Sequence, residues 1–329
     1  TERGWIPIKI VRHPIVYVLS LGVFASVWAY YTSVGNAQRD GYGYLASFIG
    51  ISLAFLFSPL LLRPLLALTR TYQLSSLADL MAFRYRTPWA GTLTTLVILI
   101  AVTPLIALQI RAVSDTAYLL SPESAQGLLA IGFCVVITLF SILFGTSRKA
   151  GRTQYDGLVM AIAFESLVKL IAFLAVGVFA IYGAFGSLDE LDLWLQDQPE
   201  LLASLKNTDY FSSFHVMALL FFTAAIAMPH MFYVTFNENN GQRALSFASW
   251  GLPLYFLLLS LPVLPILWAG LQSGSNVPVE YFPVVIGAAY DMPLISMLAY
   301  LGGLSAASGL IIVITLALSN MCLNHLILP

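Results

Sequence analysis

Two serines in the last third of the chain lie where their hydroxyl groups could bind a cation. Ser305 and Ser308 are three residues apart in a segment of small and apolar residues, so on a helix they share one face. Hard cations take oxygen ligands, and the two hydroxyls could supply two of them. Serines inside helices also bond to carbonyls of their own helix. The two residues are therefore either cation ligands or locally bonded serines.

Four charged residues in apolar sequence form two pairs with a spacing of four. Glu165 and Lys169 lie on one helical face, and so do Arg111 and Asp115. Charged side chains are costly inside a membrane, where they pair with one another or mark a functional site. Each pair is interpreted as an internally neutralised ion pair, and for Glu165 and Lys169 a gating or coupling pair is the alternative.

Two apolar segments contain residues that interrupt helices. One is Met228–Tyr233, where Pro229 removes a helical hydrogen bond and frees a carbonyl. The other contains Gly22 and Ser26. Irregular backbone in a bilayer is tolerated only where it faces protein or a cavity. Each segment is therefore either a kinked, closely packed helix or an unwound helix that forms a site.

The elements that carry these residues are typical of a membrane protein. Of the 329 residues, 59% are hydrophobic and 9% are charged, against about 25% charged residues in soluble domains. So few charges exclude a soluble enzyme and a nucleic-acid-binding protein. A helical span needs about 20 mostly apolar residues. Eight segments meet this requirement, namely Pro14–Gly35, Tyr44–Thr69, Thr92–Leu120, Gln126–Gly145, Leu158–Phe185, Tyr210–Phe236, Leu245–Leu271 and Pro293–Asn320.

Lysine and arginine residues indicate the orientation of these spans, because cytoplasmic segments carry an excess of them. An eight-span count places most of them on one side: Arg3, Lys9, Arg12, Arg63, Arg70, Arg84, Arg86, Arg148, Lys149, Arg152 and Arg243. The loops of the other side contain only Arg39 and Lys206. The sequence therefore predicts that the first span starts in the cytoplasm.

Two connecting segments are predicted to form helices at the membrane surface. Gly186–Asp209 is acidic, with Leu and Trp residues at amphipathic spacing, and Gln73–Tyr85 is semi-polar. For the first segment, a plain solvated connector is the alternative interpretation.

The chain contains no residue arrangement typical of an enzyme. The histidines are dispersed, without the spacing of a metal site: His13, His215, His230 and His325. Cys134 and Cys322 lie in apolar runs and are interpreted as small buried hydrophobic residues. Because the chain begins without methionine and stops directly after an apolar segment, we expect a fragment of a longer protein.

Several short motifs occur in a fixed order along nearly the whole chain. They are Leu19-Ser20-Leu21-Gly22 with Ser26-Val27-Trp28, Ser76-Leu77-Ala78-Asp79 with Phe83-Arg84-Tyr85, Gln109, and Gly303-Leu304-Ser305-Ala306. In this order they resemble the sodium:solute symporter family. A narrower resemblance is to the symporter-like N-terminal membrane domain of bacterial sensor histidine kinases. It rests on Thr71-Tyr72-Gln73-Leu74-Ser75-Ser76, Met228-Pro229 with Glu238-Asn239, and Leu318-Ser319-Asn320 with Asn324-His325-Leu326.

The resemblance implies an all-α polytopic membrane protein with a truncated five-plus-five inverted-repeat core. A single transmembrane domain would cover residues 1–329, with a first repeat over about 14–185 and a partial second repeat over about 210–329. The first helix of each repeat, predicted spans one and six, would be discontinuous and frame a site at the middle of the membrane.

The resemblance also implies ligands for a sodium ion. The family's sodium site joins the backbone of span one to hydroxyls of span eight, and the matching residues are Gly22, Ala25, Ser305 and Ser308. Gly309 falls where many members have a further hydroxyl. This departure puts sodium coupling in doubt and leaves the proton as the alternative coupling ion.

A small polar solute would bind at the breaks of spans one and six. The matching residues are Ser26, Trp28, Gln109, Met228, Pro229, His230 and Tyr233. In the kinase-linked branch we expect an arginine after Met-Pro and a histidine three residues later. His230 and Tyr233 stand in those places, so the identity of the solute stays open.

These features predict a symporter-type domain of the inner (cytoplasmic) membrane that moves an amino acid or a carboxylate together with a cation. Its expected partners are the solute, the lipid bilayer and a downstream kinase domain in the same chain, but no nucleic acid. The alternative is a sensory input domain of a histidine kinase, with solute binding and little or no net flux. A structural membrane anchor is a third alternative.

Overall fold

The structure is a computed structural model that describes residues 11–328 except 122, 124, 147–155, 207–210 and 240. Within these residues the chain forms helices joined by turns and short loops, without a β-strand. The predicted all-α class is therefore confirmed. Several cations that indicated the orientation lie outside the described residues, namely Arg3, Lys9, Arg148, Lys149 and Arg152.

The α-helices are numbered in chain order. They are α1 (Pro14–Leu21), α2 (Ser33–Asp40), α3 (Leu45–Leu56), α4 (Leu62–Thr71), α5 (Leu77–Tyr85), α6 (Pro88–Leu120), α7 (Gln126–Thr146), α8 (Asp156–Phe179), α9 (Leu188–Gln196), α10 (Pro199–Leu205), α11 (Phe211–Ala227), α12 (Pro229–Phe232), α13 (Gln242–Ser260), α14 (Val263–Gln272), α15 (Phe282–Ala289) and α16 (Pro293–Cys322). Short 3₁₀ segments cover Gly22–Phe24, Gly41–Tyr44 and Val279–Tyr281. Segments of π-helix cover Trp28–Thr32, Ala180–Phe185, Tyr233–Asn237 and Leu323–Ile327.

Five helices in the described residues are long and apolar enough to cross a membrane. They are Pro88–Leu120, Gln126–Leu143, Asp156–Phe185, Gln242–Gln272 and Pro293–Ile327. Two bent helix pairs also qualify if each is taken as one span: Pro14–Phe24 with Trp28–Leu56, bent by 76°, and Ser213–Ala227 with Pro229–Asn237, bent by 52°. The chain is therefore a multi-pass membrane protein of the lipid bilayer. Because the first bent pair contains predicted span one and the first half of span two, the count of eight is not confirmed.

The second predicted span, Tyr44–Thr69, is divided into two helices. Residues 57–61 separate α3 from α4 and include Pro59. A proline offers no N–H to the preceding turn and disfavours helical backbone in the residue before it. The Ser58 carbonyl accepts a hydrogen bond from the backbone N–H of Arg63 at 2.9 Å, which closes the turn.

Burial distinguishes the central helices from the peripheral ones. In the span that contains α16, 72% of the residues in an apolar 18-residue stretch are buried, against 11% in α7. α16 packs against α6, α8 and α15, whereas α7 packs against α6 and α16. Most apolar side chains of α7 are exposed, as expected for a helix that lipid solvates.

The helices around α1 enclose the backbone that follows it. α1 packs against α8 and α13, and α3 packs against α11 and α13. Large side chains such as Tyr17, Phe55, Phe173 and Phe256 are buried between these helices. The irregular backbone after α1 is therefore surrounded by protein.

The predicted surface segments contain helices. α5 lies in Gln73–Tyr85, and α9 and α10 lie in Gly186–Asp209. Ser76 caps α5, and Ser187 Oγ caps α9 by accepting a hydrogen bond from the backbone N–H of Glu190 at 3.1 Å. Serine is a preferred residue at this position, where its oxygen satisfies a free N–H of the first turn.

Candidate functional site

The first predicted span breaks between a 3₁₀ segment and a π-helical segment. After Phe24 the backbone leaves the helical region, with a ψ of 81° at Ala25. A helix resumes at Trp28. This confirms the predicted discontinuity, although no proline lies in the break.

Side chains from two other helices bond to the backbone of this first break. Lys169 Nζ, from α8, donates to the carbonyls of Gly22 and Ala25 at 3.0 and 2.7 Å. Gln109 Oε1, from α6, accepts a hydrogen bond from the Val27 N–H at 3.1 Å. All of these residues are buried. The Gly22 carbonyl also accepts a hydrogen bond from the Ala25 N–H at 3.0 Å. The contacts therefore matter most for the Ala25 carbonyl and the Val27 N–H, which the break would otherwise leave unpaired away from water.

The side chain of Trp28 connects the two sides of the same break. Its indole N–H donates to the Phe24 carbonyl at 2.6 Å. Its ring packs among Phe48, Phe221 and Phe256, with centroid distances of 5.3, 4.7 and 6.2 Å. These contacts give Trp28 a role in packing and capping, and its contact with solute stays a prediction.

The second break lies in the sixth predicted span. Met228 has an extended backbone with a ψ of 132°, and Pro229 begins α12. The proline has no N–H to continue α11, so the helix axis turns there. α12 then passes into the π-helical segment that begins with Tyr233, whose side chain is buried.

The two breaks meet inside the molecule. The ring of His230 stacks on that of Phe24, with centroids 6.0 Å apart and planes inclined by 27°. α12 packs against the 3₁₀ segment Gly22–Phe24, and Gln109 reaches the same break from α6. The structure thus brings together the elements that carry most of the predicted solute-binding residues.

Two buried polar atoms at the breaks lack a hydrogen-bond partner among the described residues. They are Ser26 Oγ and His230 Nδ1, and the two residues are 1% and 2% exposed. Buried polar atoms are nearly always hydrogen-bonded to protein or ordered water. Solute or water molecules with complementary groups would satisfy these atoms, so each is a candidate ligand contact.

The hydroxyls predicted to bind a cation both donate to Glu165. Ser305 Oγ donates to the backbone carbonyl of Glu165 at 2.8 Å, and Ser308 Oγ donates to Glu165 Oε1 at 2.9 Å. The alternative bond of Ser308 within its own helix, to the Ser305 carbonyl, is longer at 3.4 Å. Glu165 and Lys169 therefore contact the two halves of the predicted sodium site.

Glycine at position 309 leaves room for the Glu165 carboxylate. A Cβ atom at this position would overlap with Glu165 Oε2. The departure from the symporter pattern at Gly309 therefore coincides with an acidic side chain that occupies the same space.

A cavity of about 500 Å³ opens beside Glu165, between α6, α7 and α16. Glu165, Tyr300 and Ser308 are the polar residues of its wall, and the other lining residues are apolar. Among the described residues that line it, none belongs to the two breaks. The cavity is therefore next to the predicted cation site and separate from the predicted solute site.

No family model, curated protein or solved structure matches this chain. The relationship to the sodium:solute symporters consequently depends on the motifs quoted above and stays a prediction.

The predicted pair of Arg111 and Asp115 forms an ion pair at 3.3 Å. The arginine side chain is 77% exposed, and such exposed pairs contribute little to stability. The Tyr281 hydroxyl, outside the spanning helices, donates to Asp115 Oδ2 at 2.6 Å. Burial raises the pKa of Tyr281, and the hydrogen bond with Asp115 raises it further. These contacts agree with the structural interpretation of the pair.

The predicted site residues do not include Lys169, although its charge stands out in an apolar segment. Its partners are backbone carbonyls of another span, 147 and 144 residues away in sequence. The spacing of residues along one helix does not reveal backbone partners in another span. The spacing of Lys169 from Glu165 was the one signal that could have indicated its importance.

Proposed function

We propose that this chain is a symporter-type membrane domain that binds a small polar solute, an amino acid or a carboxylate, where the two breaks meet. The observation that carries the proposal is the stacking of His230 on Phe24, with Ser26 Oγ and His230 Nδ1 buried without described partners. Irregular backbone at membrane depth is tolerated where it is buried in protein or lines a cavity. Two such breaks in contact are typical of solute sites in transporters.

The side chains at the breaks suit a solute that donates and accepts hydrogen bonds. The Ser26 hydroxyl can do either, and a neutral imidazole such as that of His230 offers one donor and one acceptor. The aromatic rings of Phe24 and Trp28 lie beside them. Exclusion of water strengthens polar contacts in such surroundings. Amino acids and short carboxylates have groups that match.

Membership of the sodium:solute symporter family is part of the proposal. The order of the motifs supports it, and so do the breaks in predicted spans one and six, where a five-plus-five repeat has its discontinuous helices. The same framework implies the inner membrane and a cytoplasmic start of the first span. Lys169 donates to the carbonyls of Gly22 and Ala25, the two residues of span one that are predicted to bind sodium. Of the two predicted coupling ions, this favours the proton over sodium.

A sensory input domain is the second candidate, and one contact favours it. His325, in the π-helical segment after α16, lies with Nε2 2.7 Å from Asp79 Oδ1 of α5. The hydroxyl of Thr92 donates to the His325 carbonyl at 3.0 Å. If α16 moves on solute binding, these contacts would move α5 at the membrane surface with it. The movement of α5 could then change the activity of a downstream kinase domain.

Binding of labelled amino acids and short carboxylates to the purified full-length protein tests the proposal. For a solute that binds, His230→Ala should weaken affinity about tenfold or more, because a buried hydrogen-bond partner is lost. His215→Ala is the matched control, since it removes an exposed histidine of α11, and it should keep the wild-type affinity. Absence of binding by the folded wild-type protein, or wild-type affinity in His230→Ala, would overturn the proposal.

Uptake into proteoliposomes separates the two candidates. Solute accumulation driven by an ion gradient would identify a symporter. Saturable binding without accumulation would identify a sensor that has kept the fold.

A further inference from the structure

The ammonium group of Lys169 occupies an enclosed position at the first break. The residue is 1% exposed, and Nζ donates to the carbonyls of Gly22 and Ala25 at 3.0 and 2.7 Å. A buried charge is costly unless it is hydrogen-bonded and compensated. The two carbonyls supply the hydrogen bonds. Glu165 lies one turn earlier on the same face of α8 and supplies an opposite charge, but its carboxylate accepts from Ser308 and does not form a direct ion pair with Lys169 as predicted.

The residues predicted to bind sodium do not fit that ion in this arrangement. Two of them, Gly22 and Ala25, offer backbone oxygens that already accept hydrogen bonds from the ammonium group. The hydroxyls of Ser305 and Ser308 donate to Glu165 and keep their oxygen lone pairs, so it is the ammonium group that makes the arrangement unfit for sodium. A sodium ion beside the same carbonyls would also be repelled by the buried ammonium charge.

We infer that Lys169 is a built-in cation that takes the place of sodium between spans one and five. It holds the first break in shape, and solute binding consequently does not depend on sodium. Glu165 completes the arrangement, because it anchors the hydroxyls of α16 and fills the space that Gly309 leaves open. The inference that solute binding does not depend on sodium deepens the proposed function and rests on it. The inference that Lys169 replaces sodium is independent of the proposed function.

Thermal unfolding of the purified full-length protein tests the cation directly. A ligand at concentration c that binds only the folded state adds RT ln(1 + c/Kd) to the free energy of unfolding, so the midpoint rises once the ligand concentration exceeds Kd. We expect equal midpoints in NaCl, KCl and choline chloride at matched ionic strength. A midpoint that rises with sodium concentration, but not with potassium or choline at the same ionic strength, would show that the wild-type protein binds sodium and would overturn the inference.

The variant Lys169→Met removes the charge and keeps an apolar stem of similar length. In KCl its midpoint should fall below that of the wild type, because the buried Ala25 carbonyl loses its donor and the Gly22 carbonyl loses one of two. Sodium should then raise the midpoint selectively, since the vacated carbonyls and the Glu165 charge can accept the ion. A folded variant that is indifferent to sodium would overturn the assignment of this place as a cation site.

Lys206→Met is the matched control, because Lys206 lies exposed after α10. It should keep the wild-type midpoint in every salt. If Lys169→Met does not fold, the salt comparison on the wild-type protein still decides the question.

Solute binding in the three salts separates this inference from the proposed function. Equal affinity in each salt is expected. Binding that requires sodium would overturn the inference and leave the proposed function standing. Failure of any solute to bind would remove the proposed function, while the unfolding midpoints would still decide whether Lys169 replaces sodium.

Discussion

At the scale of single residues, Gly309 is where the absence of a side chain has a definite consequence. A Cβ atom added there would overlap with Glu165 Oε2, whereas Val23 lies at ordinary contact distance. We expect Gly309→Leu to displace the carboxylate and to lower the free energy of unfolding by about 1–3 kcal/mol, as overpacking does in tight interiors. Chemical unfolding of the purified protein in detergent measures the change.

The same substitution at Gly132 is the control for this prediction. Gly132 lies in α7, another spanning helix, and no atom lies within 4 Å of a Cβ placed there. Gly132→Leu should therefore leave the free energy of unfolding close to the wild-type value or raise it slightly. Equal effects of the two variants would show that Glu165 does not depend on the space at position 309.

The chemistry of these residues was only partly predictable from the sequence. Ser305 and Ser308 were recognised as hydroxyls on one helical face, and Glu165 and Lys169 as charges at a spacing of four. Their mutual contacts were not predictable, because they depend on how closely α8 and α16 pack. Spacing along a chain indicates which side chains share a helical face, but it does not indicate which helix that face meets.

At the scale of elements, the break in the sixth predicted span has an identifiable cause in Pro229. An alanine there would restore an N–H to the preceding turn, so Pro229→Ala should straighten the junction between α11 and α12. We expect the variant to fold and to bind solute about tenfold more weakly, because His230 turns with the helix. Equilibrium binding with the solute used for the wild type measures this.

Pro199→Ala serves as the comparison, because Pro199 also occupies the first position of a helix but lies in α10 between two predicted spans. It should bind solute as the wild type does. A Pro229→Ala protein with unchanged affinity would show that the bend does not shape the solute site.

The two breaks differ in how far they could be predicted from the sequence. A proline within an apolar run marks the second break, and the prediction there was direct. In the first break the small residues of span one are equally compatible with close packing, and the break depends on Lys169 and Gln109 from other helices. The turn around Pro59 was overlooked because the residues on either side are apolar enough to be taken as one span.

At the scale of the whole molecule, hydropathy identified the apolar helices but not their arrangement. α16 is central and α7 peripheral, although both are strongly apolar. Burial against protein and exposure to lipid both suit apolar residues, so hydropathy does not distinguish them. The small residues of α16, such as Gly302 and Gly303, are the sequence signal of its close packing. The all-α membrane class was predictable, because the apolar residues form continuous runs and do not alternate with polar residues as in a β-barrel. The five-plus-five repeat stays a prediction from the resemblance.

The central claim is that solute binds where the two breaks meet, and a structure of the protein with its best-binding solute tests it most directly. We expect density for the solute within hydrogen-bond distance, about 3 Å, of Ser26 Oγ and His230 Nδ1. In the same structure, Lys169 Nζ should still donate to the carbonyls of Gly22 and Ala25 at the first break. Solute density in the cavity beside Glu165, with both breaks unchanged from the wild-type protein without solute, would contradict the account.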